Sequence, residues 1–213
     1  MIRAYSFSAA GGHPVNEDAF VLRPLWHDPD CWLVCVADGQ GGRAGGASAA
    51  QLACRTVSET MGNSVSTPWN EIAALADVAV TANPAAGFTT LVALTVDESS
   101  GVQAVTGVSC GDSAALAVWG DGLMRVLTSR QFKNPPVGSG DATFVPFERE
   151  LTRPWRVLVM SDGVWKYAGW DRVWASAARL SGEELLADLQ VAARLKITGE
   201  FQDDFTIVLL ESE

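Results

Sequence analysis

The sequence has few of the residues that zinc sites and nucleophilic active sites require. It contains two histidines, and its four cysteines (Cys31, Cys35, Cys54 and Cys110) form no CxxC pair. Histidine and cysteine clusters are the usual zinc ligands, and a serine or cysteine nucleophile normally depends on a neighbouring histidine. Both kinds of site are therefore disfavoured. We expect the cysteines to be buried free thiols in a reducing cytoplasm rather than disulfides or zinc ligands.

Basic residues are also scarce, since 15 Lys and Arg stand against 25 Asp and Glu and give a net charge of -10. Such a chain has no general attraction for nucleic acid or for anionic membranes, so we predict neither as a partner. The apolar runs have the length of strands and are too short to span a membrane. Residues 1–12 lack the long apolar segment of a secretory signal, which predicts a cytoplasmic location.

The hydrophobic content of 48% over 213 residues is enough for a sizeable core, and no linker divides the chain. We therefore expect one domain over residues 1–213. Apolar and alternating segments predict early strands, the first at Ile2 to Ala9, and then two helices, the first from Arg43 to Met61. A meander of strands should follow, including Val102 to Val108 and Ala114 to Trp119, and then further helices and a final strand. Because the strands of the meander are joined by short turns, they should pair antiparallel. The expected fold class is α+β, with antiparallel sheets covered by helices.

Two helix starts carry local signals. Thr67 and Pro68 have the pattern of an N-cap followed by proline at the first helical position, and Leu75 should lie on the buried face of that helix. Ser181 and Glu184 match a capping box that opens a later helix. We expect Gly199 to end that later helix.

Acidic residues recur where an apolar segment meets a turn of small or polar residues. Any one of them alone is more typical of a turn than of a ligand. If their segment ends converge, the carboxylates would repel one another and would need cations or raised pKa values. Oxygen ligands of this kind suit Mg²⁺ or Mn²⁺. The five motifs are Asn16-Glu17-Asp18, Asp38-Gly39, Gly111-Asp112-Ser113, Ser161-Asp162-Gly163 and Asp203-Asp204.

The order of these motifs resembles the metal-dependent protein phosphatases, the type 2C serine/threonine phosphatases, in a short bacterial-like form. This resemblance implies a four-layer α/β/β/α sandwich, in which two antiparallel sheets are flanked by helices. The motifs that carry it are Asn16-Glu17-Asp18, Val36-Ala-Asp-Gly-Gln-Gly-Gly42, Gly87-Phe-Thr-Thr-Leu91, Cys110-Gly-Asp-Ser113, Met160-Ser-Asp-Gly-Val-Trp165 and Gln202-Asp-Asp-Phe-Thr206.

The resemblance also implies a set of metal ligands. Asp38 would bridge two Mn²⁺ or Mg²⁺ ions, and the backbone carbonyl of Gly39 would be a further ligand. Asp162 and Asp203 would complete the shell of one ion. Glu17 would hold the other ion, mainly through water.

Two further acids and the reaction follow from the same resemblance. Asp18 would support the metal shell, and Asp112 together with Asp162 would bind a third, weaker ion. The implied activity is hydrolysis of phosphoserine and phosphothreonine in proteins, with a hydroxide held between the two ions as the nucleophile. The implied partner is a phosphorylated protein, so that the enzyme would oppose a serine/threonine kinase.

Three positions depart from the family pattern. His13 stands where members usually carry an arginine that binds substrate phosphate, and a histidine is largely uncharged near neutral pH. We predict weaker phosphate binding, with the equal alternative that His13 only shapes the Gly-Gly-His-Pro turn. Gln40 replaces a histidine that protonates the leaving group in some relatives. Asp204 replaces a common asparagine and adds negative charge beside the site.

The basic residues in the loop after the meander of strands can be interpreted in two ways. Arg130 and Lys133 are either contacts for a phosphoprotein or part of a solvated loop face.

The departures at His13 and Gln40 support an alternative function, a catalytically weak or inactive member that acts as a regulatory protein-binding module. The intact Asp38 and its partner aspartates favour the enzyme, because mutually repelling acids have little other physical reason to be present.

Overall fold

The computed structural model describes residues 1–26, 28–40, 45–63, 67–98 and 103–212. The sequence predictions for Gly41-Gly42, for the helix start at Arg43 and for Val102 lie outside these residues. The described residues form β1 (Ile2–Ala9), β2 (Asp18–Leu25), β3 (Asp28–Asp38), α1 (Gly46–Asn63), α2 (Trp69–Thr81), β4 (Leu91–Asp97), β5 (Ala104–Cys110), β6 (Ala114–Trp119), β7 (Met124–Val126), β8 (Val145–Glu150), β9 (Trp155–Met160), α3 (Asp162–Ala168), α4 (Trp170–Arg179), α5 (Gly182–Ala193) and β10 (Phe205–Ser212).

The strands form two five-stranded sheets, with the orders β1-β10-β9-β6-β7 and β2-β3-β4-β5-β8. Neighbouring strands in both sheets pair antiparallel. The helices α1 and α2 cover the second sheet, and α3, α4 and α5 cover the first. The predicted α+β class and the four-layer α/β/β/α arrangement are therefore confirmed.

Side-chain alternation along β3 explains how the layers hold together. Leu33, Cys35 and Ala37 pack towards α1 and α2, whereas Val34 and Val36 pack into the core between the two sheets. Successive side chains of a strand point to opposite faces, so a strand covered on both faces must be apolar throughout. All four cysteines are buried and free, as expected from the sequence.

Helix α2 differs from the sequence prediction in its N-cap and in the face that it buries. Pro68 occupies the N-cap without a side-chain cap, and Leu75 is 47% exposed. The buried face carries Asp77 instead, whose carboxylate accepts hydrogen bonds from backbone N–H groups in the loop 138–142 at 2.6 to 3.3 Å. An acid on an apolar face is stable there because these three donors replace water. The loop 138–142 is thereby tethered to α2.

Helix α5 also differs from its prediction. It begins after Ser181 but has no side-chain cap, and it ends at Ala193 rather than at Gly199. The first helical N–H group, that of Gly182, instead donates to the buried carboxylate of Glu211 at 3.2 Å. The capping box is unnecessary because Glu211, which lies far along the chain, accepts the hydrogen bond from this N–H group. Within the described part of the chain, no helix is long and apolar enough to cross a membrane.

Candidate active site

Residues from several distant segments line one cavity of about 470 Å³. Asp38 lies at the end of β3, Asp112 lies between β5 and β6, and Asp162 opens α3 directly after β9. Of the residues that the sequence singles out, the cavity lining includes His13, Glu17, Asp38, Gly39, Gln40, Asp112, Lys133, Asp162, Asp203 and Asp204. Arg130 does not line it, and neither does Asp18, which lies buried at the start of β2.

The pairing of β2 with β3 places Asp18 directly opposite Asp38. The backbone of Asp38 is fixed by two threonines: its N–H group donates to Oγ1 of Thr90 at 2.9 Å, and its carbonyl accepts from the hydroxyl of Thr89 at 2.8 Å. Such bonds satisfy backbone groups at the point where the strand ladder ends. The threonines thus orient the strand end that carries Asp38.

Gly39 is required by close backbone packing. A Cβ atom at this position would lie 2.4 Å from the carbonyl carbon of Gly46 and 2.6 Å from the carbonyl oxygen of Glu17. The N–H group of Gly39 donates to that same Glu17 carbonyl at 3.2 Å. Any larger residue would push apart the segments that position Glu17 and Asp38.

Asp204 has a structural role that the sequence alone did not reveal. The residue is 7% exposed, and its carboxylate accepts hydrogen bonds from the backbone N–H groups of Gly11, at 2.9 Å, and Glu17, at 2.5 Å. A Cβ atom on Gly163 would lie 1.9 Å from the carbonyl oxygen of Asp204, so the start of α3 also packs closely against this segment. Asp204 therefore ties the segment before β2 to the start of β10.

The carboxylates raise one another's proton affinity. Burial raises the pKa of Asp38 to about 9, with further contributions from Asp18, Asp162, Asp112 and Asp203. Burial likewise raises the pKa of Asp162, and the neighbouring Asp112 raises it further. A cavity that holds several carboxylates away from water favours either protons or metal cations.

Asp18 is a buried acid whose carboxylate lacks hydrogen-bond partners among the described residues. The residue is 8% exposed. Burial raises its pKa to about 7, although the nearby hydroxyls of Thr206 and Ser161 partly offset this rise without making well-aligned hydrogen bonds. An unsatisfied buried carboxylate is costly, and a cation close to it would relieve that cost.

Two lysines form ion pairs with the acids of the cavity. The Nζ atom of Lys133 lies 2.5 Å from Asp112, and that of Lys166 lies 3.5 Å from Asp162 and 3.9 Å from Asp203. The hydrogen bond to Asp112 raises the pKa of Lys133, and the charge of Asp162 raises the pKa of Lys166. Lys166 was not predicted as a site residue, although its position four residues after Asp162 on a helix was a usable signal.

The donor set suits hard divalent cations. As the side chains stand, no group of three His, Cys, Asp or Glu residues in the described ranges is close enough to hold one metal ion. Nevertheless, the cavity presents oxygen donors, raised carboxylate pKa values and the unpaired carboxylate of Asp18 behind it. The oxygen donors of the lining are therefore of the chemical type that hard divalent cations prefer.

The family model of protein phosphatase 2C matches residues 8–196. The chain belongs to the protein phosphatase 2C family. No curated protein matches the sequence.

Solved structures of phosphatases share this protein phosphatase 2C fold. A bacterial serine phosphatase that carries a point mutation has a TM-score of 0.82 and 18% identity, over 100% of this chain and 99% of that chain. The serine/threonine phosphatase PstP/Ppp of Mycobacterium tuberculosis has a TM-score of 0.75 and 18% identity, over 100% and 99%. The Ser-Thr phosphatase MsPP of Mycobacterium smegmatis, in complex with cacodylate, has a TM-score of 0.78 and 22% identity, over 99% and 98%.

Proposed function

We propose that this chain, as one domain over residues 1–213, hydrolyses phosphoserine and phosphothreonine in proteins with the help of divalent cations. The observation that carries the proposal is that Asp38, Asp162 and Asp203, far apart in the sequence, line one cavity. Membership of the protein phosphatase 2C family gives the reaction class. The substrate would be a phosphorylated protein, and the enzyme would oppose a serine/threonine kinase in the cytoplasm.

In this proposal the ligand roles are those that the resemblance to the family implies. Asp38 would be shared by two Mn²⁺ or Mg²⁺ ions, with Asp162 and Asp203 on one of them. Glu17, whose backbone carbonyl accepts a hydrogen bond from the N–H group of Gly39, would hold the second ion mainly through water, and the carbonyl of Gly39 would be a further ligand. When bound, the ions supply Lewis-acid activation of water and neutralise charge on the phosphoryl oxygens.

The other predicted residues have supporting parts in this proposal. Asp18, buried opposite Asp38, would orient the ligands and add negative charge behind them. Asp112 would contribute to a weaker third ion. His13 lies exposed on the cavity rim, with Nδ1 3.3 Å from the carbonyl oxygen of Gly11, so it can both stabilise its turn and face a substrate phosphate.

Hydrolysis of a phosphothreonine peptide and of a small aryl phosphate tests the proposal. Activity should require added Mn²⁺ or Mg²⁺, disappear with a chelator, and be lost in Asp38→Asn. The matched control is Asp121→Asn, which neutralises an exposed acid in the turn between β6 and β7. A metal-independent activity, or full activity in Asp38→Asn, would contradict the assigned site.

A second candidate function is a regulatory protein-binding module with little or no turnover. The ion pairs of Lys133 and Lys166 favour it, because they occupy acids that would otherwise be free to bind metal. Metal binding without turnover on any phosphopeptide would support this candidate. Rapid turnover would exclude it.

A further inference from the structure

The cavity contains cations of its own. Its lining includes six carboxylic acids, and Lys133 and Lys166 are the two lysines among the described lining residues. Both lysines pair with acids that the proposed function assigns to metal: Lys133 with Asp112, and Lys166 with Asp162 and Asp203. The ammonium groups are thus placed where a divalent ion on the same oxygens would be.

We infer that Lys133 and Lys166 are resident counter-cations that compete with divalent metal ions for the acids of this cavity. An ammonium group and a metal ion cannot approach the same carboxylate oxygen without strong repulsion, so the lysine has to move before the ion binds. The lysines therefore lower the affinity for metal. The inference rests on the proposed function for the assignment of these acids as ligands.

Lys166 should be the stronger competitor. It contacts two of the candidate ligands and its side chain is 49% exposed, whereas Lys133 contacts one and is 71% exposed. Lys166 also lies on α3, where the neighbouring Trp165 donates from Nε1 to the carbonyl oxygen of Asp112 at 3.1 Å. This bond ties α3 to the Asp112 turn, so repulsion is relieved by movement of the lysine side chain rather than of the helix.

Calorimetric titration of Mn²⁺ into the chelator-stripped full chain tests the inference. Lys166→Met should bind Mn²⁺ about tenfold more tightly than the wild type, which corresponds to about 1.4 kcal/mol. Lys133→Met should show a smaller gain. Lys166→Arg keeps the charge and should bind like the wild type, and Lys196→Met removes an exposed charge from outside the cavity lining and should change nothing. Circular dichroism checks that each variant folds. If Lys166→Met does not fold, Lys166→Gln replaces it.

The outcomes separate this inference from the proposed function. Tighter binding by Lys166→Met supports it, and so does binding by Lys166→Met alone when the wild type binds none. Equal affinities of the wild type and Lys166→Met, or an equal gain in Lys196→Met, would overturn it while leaving the metal site in place. Absence of Mn²⁺ binding in every variant would overturn the proposed function, and the inference with it.

Discussion

Replacing Asp38 by asparagine should stabilise the metal-free protein while abolishing the proposed metal binding. Asp38 has a pKa of about 9 in the folded chain, against an ordinary value of 3.8. The folded state therefore keeps a proton that the unfolded chain releases, and stability falls as the pH rises from about 4 towards 9. Asparagine is neutral in both states, so it removes this penalty.

The size of the effect follows from the same linkage. A pH of 7 lies about three units above the pKa of the unfolded carboxyl, which gives an upper bound of about 4 kcal/mol at about 1.36 kcal/mol per unit. Asp38 is partly exposed and its neighbours can relax, so we expect a gain of about 2 kcal/mol in the free energy of unfolding. The gain should shrink as the pH approaches 4.

Urea denaturation in the presence of a chelator, followed by tryptophan fluorescence, measures this gain. Asp203→Asn is the matched control, because its side chain is 37% exposed and faces Lys166 at 3.9 Å. It should change the metal-free stability by less than about 1 kcal/mol. If Asp38→Asn is no more stable than the wild type at pH 7, or if its gain does not depend on pH, the electrostatic reasoning is wrong.

Three other substitutions test single features of the fold and site. Asp204→Ala should lower the free energy of unfolding by about 2 kcal/mol, because it leaves the buried N–H group of Gly11 and the partly buried N–H group of Glu17 without an acceptor; urea denaturation measures this. Asp77→Ala should speed hydrogen exchange of the three loop N–H groups that it binds, and unchanged exchange would contradict its role as a tether. His13→Arg should lower KM for an aryl phosphate above neutral pH, since arginine keeps its charge there; no fall in KM would favour the turn-shaping role of His13.

The sequence was informative wherever a local pattern decides the structure. Apolar runs located the strands, and Ala114–Trp119 and Ile2–Ala9 were predicted to the residue. The acids at the ends of these runs could be found because a charged residue next to a buried strand must lie where the strand ends, outside the core. Asp38 and Asp162 lie in such places.

Side-chain roles that depend on residues far away in the sequence could not be predicted from local patterns. Asp77 lies buried on α2 because its acceptor oxygens meet a loop more than sixty residues away, and Leu75 is consequently rotated to the surface. Asp204 was interpreted as added charge, whereas its carboxylate joins segments nearly two hundred residues apart. The ion pair of Lys166 with Asp162, four residues earlier on the same helix, was predictable, whereas its pairing with Asp203 was not, because Asp203 lies more than thirty residues away, just before the start of another strand.

The most direct test of the central claim is a crystal structure of the Mn²⁺-loaded protein with anomalous scattering. We expect two neighbouring peaks in the cavity, with the carboxylate of Asp38 bonded to both and with Asp162 and Asp203 bonded to one. Anomalous peaks located elsewhere on the chain, or a cavity without anomalous signal in a protein that binds Mn²⁺ in solution, would contradict the proposed metal site.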